Sequence, residues 1–75
     1  MTLRQVFARN VRHLRARKGL SQEQLALDAD ISRSYMYELE RGTYSASLDM
    51  VERIAKALAV NPASLLEGHR RAPGA

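Results

Sequence analysis

The stretch from Ser21 to Gly42 constrains the fold more than any other part of this 75-residue chain. It contains two short runs with helical spacing, and each has a serine at its start that can cap a helix N-terminus. Asp30 lies between the runs and tolerates the left-handed backbone of a tight turn. Gly42 is a typical residue just beyond a helix C-terminus. The pattern therefore predicts two helices, residues 22–29 and 32–41, joined by a tight turn.

The second of these helices has two chemically different faces. Met36 and Leu39 lie three residues apart and share their face with Ile31, so we expect this face to point inward. The opposite face carries guanidinium, hydroxyl, phenol and carboxylate groups from Arg33, Ser34, Tyr37, Glu38 and Arg41. This distribution predicts a helix that the rest of the chain holds in place and that presents a polar surface outward.

These residues resemble the helix-turn-helix of Cro/C1-type repressors, the XRE family, and most closely the small controller proteins of restriction–modification systems. The resemblance covers residues 3–67. One departure is Asp30, which stands where the family commonly has glycine. The matching blocks are Ser21-Gln22-Glu23-Gln24-Leu25-Ala26, Ile31, Arg33-Ser34-Tyr35-Met36 and Leu39-Glu40-Arg41-Gly42. The resemblance implies a lambda-repressor-like DNA-binding domain that regulates transcription.

The remaining chain continues the helical pattern. A helix over residues 3–18 and a fourth helix after Ser47 each have one apolar face. Asn61 and Pro62 then begin a short fifth helix that ends before Gly68. We expect these apolar side chains to be buried: Leu3, Phe7, Val11, Leu14, Leu48, Val51, Ile54, Ala55 and Leu58. The prediction is an all-α, compact five-helix bundle over residues 1–68, followed by a disordered tail over residues 69–75.

Composition excludes several other classes of protein. The absence of cysteine rules out disulfides, thiolate metal sites and a cysteine nucleophile. His13 and His69 lie far apart and lack the spacing of metal ligands. We find no nucleophile–base pair, no metal cluster and no phosphate loop, so we expect neither an enzyme nor a cofactor. No apolar run reaches the length of a membrane span, and no signal peptide is visible. A soluble cytoplasmic protein is therefore expected.

The charge distribution says more than the net charge of +4. Residues 1–20 carry six basic groups and no acid, whereas residues 21–40 carry one basic group and five acids. A basic first helix can face the phosphates of DNA. Basic surface groups can equally serve solubility alone, but beside a helix-turn-helix they favour nucleic acid.

The resemblance and the helical face together predict which side chains read bases. The second helix of such a motif enters the major groove with its N-terminal residues at the base edges. Arg33, Ser34 and Glu38 are placed there, and Arg33 can pair with guanine O6 and N7. Glu38 either accepts from cytosine or orients Arg33. Tyr35 either wedges between helices or contacts DNA, and Tyr37 contacts either DNA or a protein partner.

Phosphate contacts are expected on both sides of that helix. The family uses a glutamine at the start of the preceding helix to hold a phosphate, and Gln22 matches it. The alternative is that Gln22 is an ordinary first-turn residue. Arg41, Thr43, Tyr44 and Ser45 are candidates on the other flank, although Thr43 and Ser45 equally fit a solvated turn.

The resemblance also implies a partly buried ion pair between Arg15 and Glu40, with two separately solvated charges as the alternative.

Because one such domain covers little DNA, we expect a homodimer on a palindromic operator with half-sites about 34 Å apart. The expected dimer surface is Val60, Leu65 and Leu66, unless these residues complete the monomer core.

The expected partners are double-stranded DNA, a second copy of the chain and RNA polymerase. No ligand-sensing domain is visible, so we expect no small-molecule ligand and no membrane partner. A different class of function remains compatible, namely a protein-interaction module that kept the fold. Within DNA binding, a controller protein, a phage-type repressor and an antitoxin are equally compatible with the sequence.

Overall fold

The computed structural model describes residues 1–68 and within that range contains four α-helices followed by one 3₁₀ turn. The helices are α1 (Leu3–Arg17), α2 (Gln22–Ala29), α3 (Arg33–Arg41) and α4 (Leu48–Leu58), and the 3₁₀ turn is Pro62–Leu65. The all-helical prediction is therefore confirmed for this part of the chain. The predicted disordered tail, residues 69–75, lies outside the described residues.

The prediction of a fifth helix is wrong. The chain begins one as expected, because the Asn61 side chain accepts a 2.8 Å hydrogen bond from the Ala63 N–H. It then closes only a 3₁₀ turn, with the Ser64 N–H 3.0 Å from the Asn61 carbonyl. Asn10 of α1 donates to the carbonyls of Leu65 at 2.8 Å and of Glu67 at 3.0 Å. These carbonyls are thereby satisfied by α1 and not by a further helical turn.

Each α-helix begins at a hydroxyl cap. The side chains of Thr2, Ser21, Ser32 and Ser47 each accept a hydrogen bond from the backbone N–H three residues later. Such a cap satisfies one of the orphan donors of the first turn and contributes about 1 kcal/mol. These local interactions explain why the predicted helix starts agree closely with the observed ones.

The core forms where the apolar faces of all four helices and the 3₁₀ turn meet. Its largest fully buried side chains are Val11, Leu25, Met36, Leu39, Ile54, Leu58 and Leu65. Two residues expected in this core are not there, since Leu3 is 60% exposed and Leu48 is 78% exposed. Each is the first residue of its helix, where the apolar face extends past the neighbouring elements. The fold thus leaves two large leucines on its surface.

The tight turn between α2 and α3 has the geometry expected of it. Asp30 adopts the left-handed conformation, with φ 60° and ψ 50°. Arg53 of α4 holds this turn: its Nε donates to the Ala29 carbonyl at 3.2 Å, and its guanidinium also donates to the Asp30 carbonyl. The angle between α2 and α3 is therefore stabilised from a third helix.

Candidate nucleic-acid interface

The outward face of α3 forms an open, polar depression together with the start of α2. Met36 and Leu39 are almost fully buried on the inner face, which fixes how the helix is turned. Arg33 and Ser34 are exposed on the other face. Together with Gln22, Tyr37 and Glu38 of the two helices, they line one open depression. The structure thus brings the predicted base-reading and phosphate-binding groups of α2 and α3 together.

Arg33 extends into solvent from the first turn of α3. Its side chain is 70% exposed, and its Nη1 lies 3.7 Å from Oε1 of Glu23, which is itself 67% exposed. An ion pair this open is worth about 0–1 kcal/mol. The guanidinium can therefore exchange this carboxylate for another acceptor at small cost.

Glu38 is tied to the C-terminal side of α3. Thr43 Oγ1 donates to Glu38 Oε1 at 3.0 Å, and Arg41 Nη1 lies 3.9 Å from the same oxygen. The Arg41 guanidinium also stacks on the Tyr37 ring, with Cζ 5.6 Å from the centroid. The alternative in which Glu38 orients Arg33 does not match this arrangement, because Arg33 pairs with Glu23. The hydrogen bond and ion pair both use Oε1, so Oε2 is left to accept from another donor.

A buried network of charges lies directly behind this surface. Arg15 of α1 clamps Glu40 of α3 with two bonds, Nε to Oε2 at 2.7 Å and Nη2 to Oε1 at 3.0 Å. Glu40 is only 4% exposed. The hydrogen bond and the attraction of this carboxylate raise the pKa of Arg15 against the opposing effect of burial. Arg15 also donates to the Leu20 carbonyl at 2.9 Å, so the ion pair joins α1, α3 and the segment before α2.

Gln22 belongs to the same network, which sequence reasoning missed. Its Nε2 donates to Glu40 Oε1 at 2.9 Å. A primary amide has two N–H donors, so a second remains for an acceptor outside the protein. This hydrogen bond orients the Gln22 side chain at the N-terminus of α2, where backbone N–H groups also favour an anion. The only signal in the sequence was the position of Gln22 in the first turn.

The ring of Tyr35 in α3 packs against the ring of Tyr44 in the loop after α3. Their ring centroids are 5.6 Å apart and their planes are tilted by 47°. Tyr35 is partly buried and also packs against the core, which agrees with the wedged alternative. Tyr44 is 47% exposed and lies between Thr43 and Ser45, which are exposed as well.

The predicted dimer surface is not one surface in the structure. Leu65 is fully buried in the monomer core, so its assignment to a dimer interface is wrong. Val60 lines a depression at the C-terminal end of α1. Leu66 instead lines a different groove, together with Leu3 and Leu48. Of the three residues, only Val60 and Leu66 therefore reach the surface, and they line different depressions.

Residues 1–68 contain neither a candidate metal site nor a helix that could span a membrane. No group of three or more histidine, aspartate or glutamate side chains in this range is placed to hold a metal ion. Within the same range, no helix has both the length and the apolar character needed to cross a membrane.

Comparison with known proteins agrees with this geometry. The family model described as a helix-turn-helix domain matches residues 6–67. Control protein C.BamHI from Bacillus amyloliquefaciens is 46% identical over 66 residues, which cover 87% of this chain and 82% of that protein.

Two solved structures are similar over most of the fold. The hypothetical transcription factor NHTF from Neisseria has a TM-score of 0.86 and 39% identity, covering 89% of this chain and 77% of that one. The restriction-modification controller protein C.AhdI from Aeromonas hydrophila has a TM-score of 0.80 and 40% identity, covering 83% of this chain and 94% of that one. These relatives confirm the resemblance seen in the residues of α2 and α3. The chain belongs to the helix-turn-helix family of DNA-binding transcriptional regulators.

Proposed function

We propose that residues 1–68 read a palindromic operator as a homodimer, with α3 of each copy in the major groove. The observation that carries this proposal is the exposed polar first turn of α3, on a helix whose opposite face is anchored in the core. A helix held in this way keeps the backbone of its outward face in a constant position. Sequence reading requires such positioning, because the donors and acceptors of a base edge are separated by only a few ångströms.

In this proposal Arg33 reads guanine through O6 and N7, and Ser34 bonds to the neighbouring base or touches a thymine methyl. The support is that Arg33 is exposed and its only ion-pair partner among the described residues is the equally exposed Glu23. Glu38 accepts from a cytosine amino group through Oε2. Tyr37, whose ring is covered by Arg41, contacts the sugar-phosphate backbone of the DNA.

Phosphates are held on both sides of α3. Gln22 uses its second amide hydrogen together with the backbone N–H groups of α2. Arg41, Thr43, Tyr44 and Ser45 form the other side, and Tyr35 supports Tyr44 from within. The support is that Gln22 is oriented by Glu40 and Tyr44 by Tyr35.

The relatives support a more specific biological role. Because control protein C.BamHI and controller protein C.AhdI are both similar over most of their length, we propose that this chain controls a restriction–modification system. It would act in the cytoplasm on RNA polymerase, by contact or by occlusion, depending on where the operator lies relative to the promoter. Genes for a restriction endonuclease and a methyltransferase beside its own gene are expected.

The experiment that tests operator reading is selection from a random duplex library. Wild type, Arg33→Ala and Arg17→Ala are compared, and Arg17→Ala removes the same charge from the exposed side of α1. Wild type should return a two-fold symmetric site. Arg33→Ala should lose one guanine from each half-site and about 1–3 kcal/mol of discrimination there. Arg17→Ala should keep the motif unchanged. Recovery of no motif by wild type would contradict operator reading.

A further inference from the structure

An open depression lined by three arginines, the arginine depression, lies between α1 and the C-terminal end of α3. Arg9 and Arg12 come from α1, Arg41 is the last residue of α3, and the volume of the depression is about 260 Å³. The two helices approach closely here, since a Cβ added at Gly42 would lie 3.5 Å from Cγ of Gln5. Among residues 1–68, no acidic side chain lines the depression.

The three guanidinium groups keep donors available for an anion. Arg12 Nη1 donates to the main-chain carbonyl of Glu40, which holds Arg12 at the end of α3. A guanidinium has five N–H donors, so most of those on Arg12 remain for another acceptor. Neither Arg9 nor Arg12 has a carboxylate within ion-pair distance in the described part of the chain. The carboxylate nearest to Arg41 is that of Glu38, at 3.9 Å.

The positive charge of the arginine depression exceeds what the end of α3 requires. The C-terminus of a helix carries about half a negative elementary charge, and Arg12 already contacts it through the Glu40 carbonyl. Arg9 adds a cation that no carboxylate within residues 1–68 pairs with, and Arg41 adds one that is weakly paired. Cations that share a depression repel one another, and an anion placed between them turns this repulsion into attraction.

The arginine depression adjoins the proposed DNA-reading face. Arg41 connects the two, because it lines the depression and its Cζ lies 5.6 Å from the ring centroid of Tyr37. Tyr37 in turn lines the polar depression on α3 together with Arg33 and Ser34. A DNA strand that follows α3 beyond its C-terminal end therefore reaches the three arginines.

We infer that the arginine depression binds a backbone phosphate of the operator, beyond the bases that α3 reads. Guanidinium groups suit this ligand, since they pair with phosphate through two parallel hydrogen bonds. Backbone contacts position a protein on DNA and carry no sequence information directly, so the contact should add affinity and leave the motif unchanged. The inference rests on the proposed operator binding and adds a contact from α1 to it.

The first test compares two arginines of α1. Arg9→Gln removes a charge from the arginine depression, and Arg17→Gln removes the same charge from an exposed position of α1 outside it. Fluorescence anisotropy measures binding of the full-length proteins to the selected operator and to an unrelated duplex at several salt concentrations. Arg9→Gln should weaken both complexes by a similar factor. It should also make the slope of log affinity against log salt shallower by about 2, one phosphate for each copy of the dimer.

Two controls separate this role from a structural one. Arg17→Gln should change the slope by less than about 0.5, because it removes no phosphate contact. Arg9→Lys keeps the charge and should restore most of the slope. All three variants should keep the midpoint of thermal unfolding of wild type. An Arg9→Gln protein that unfolds earlier but binds DNA with the wild-type slope would show that Arg9 is structural, and the inference would fail.

The second test locates the phosphate. Operator duplexes carry an uncharged methylphosphonate at one backbone position at a time, within and outside each half-site. At one position in each half, the substitution should weaken wild type several-fold and have little further effect on Arg9→Gln, because the two changes remove the same contact. Arg17→Gln should remain as sensitive as wild type at that position.

The outcomes distinguish this inference from the proposed function. If every methylphosphonate affects wild type and Arg9→Gln equally, the arginine depression does not bind DNA, while operator reading by Arg33 stands. Titration with inorganic pyrophosphate tests the other source of phosphate: if it shifts the amide resonances of Arg9 and Gly42 while no DNA position couples to Arg9, the ligand is a free phosphate and the inference fails. Recovery of no motif by wild type would contradict operator reading itself, and this inference with it.

Discussion

At the scale of single residues, Glu40 connects stability to DNA recognition. Its carboxylate is almost fully buried, yet it accepts hydrogen bonds from Arg15 and Gln22, and its main-chain carbonyl accepts one from Arg12. A buried carboxylate is tolerated when it is paired and fully hydrogen-bonded. One side chain thereby orients α1, α3 and the proposed phosphate-binding group at the start of α2.

Replacing Glu40 by glutamine should lower the free energy of unfolding by about 3 kcal/mol, because the Arg15 guanidinium then loses its buried counter-charge. Chemical denaturation measures this loss. Glu67→Gln removes the same charge from an exposed position after the 3₁₀ turn and should cost less than about 0.5 kcal/mol. An unfolding free energy that is the same in Glu40→Gln and wild type would argue that the pair does not support the fold.

At the scale of elements, the helix-turn-helix depends on α4. The turn at Asp30 is left-handed, and Arg53 holds the carbonyls of Ala29 and Asp30 at the end of α2. The Asp30 carboxylate is 3.4 Å from Arg53 Nη2 but 98% exposed, so this ion pair contributes little. The guanidinium-to-carbonyl bonds are the stabilising part of the contact.

Arg53→Ala should therefore destabilise the fold by about 1 kcal/mol, the usual net value of such hydrogen bonds when water can partly replace them. Amide hydrogen exchange should accelerate most in the residues between α2 and α3. Lys56→Ala, at another exposed position of α4, is the control and should leave these amides unchanged. Equal protection in Arg53→Ala and wild type would show that α2 and α3 keep their turn without α4.

At the scale of the whole molecule, positive charge is concentrated before the helix-turn-helix. The net charge is +4, and residues 1–20 contain six basic groups and no acid. Val60 and Leu66, which remain from the predicted dimer surface, are in contrast apolar. Binding to DNA and binding to a second copy should therefore respond differently to salt.

Between 50 and 200 mM salt, affinity for the selected operator should fall about 1,000-fold or more, as expected for six or more phosphate contacts per dimer. The dimer dissociation constant over the same range should change much less, because mainly apolar burial is not screened. Fluorescence anisotropy and sedimentation measure the two equilibria. An operator affinity that is nearly independent of salt would favour a protein-binding role for the face of α3.

The sequence alone determined where the helices begin and what α3 presents. Hydroxyl caps, the left-handed Asp30 and the apolar spacing act between residues three or four positions apart, so they can be read without knowing the fold. The resemblance to a known family added the pairing of Arg15 with Glu40.

Only the tertiary structure decided which apolar residues are covered and which side chains close the turns. In the folded chain Leu65 is buried and Leu48 is exposed. Asn10 donates to a carbonyl 55 residues away, and Arg53 donates to a carbonyl 24 residues away. Such contacts depend on how whole helices pack, and a local pattern carries no information about packing between distant segments. Leu48 stays exposed for this reason, because a leucine at the end of an apolar face is covered only if another element reaches it.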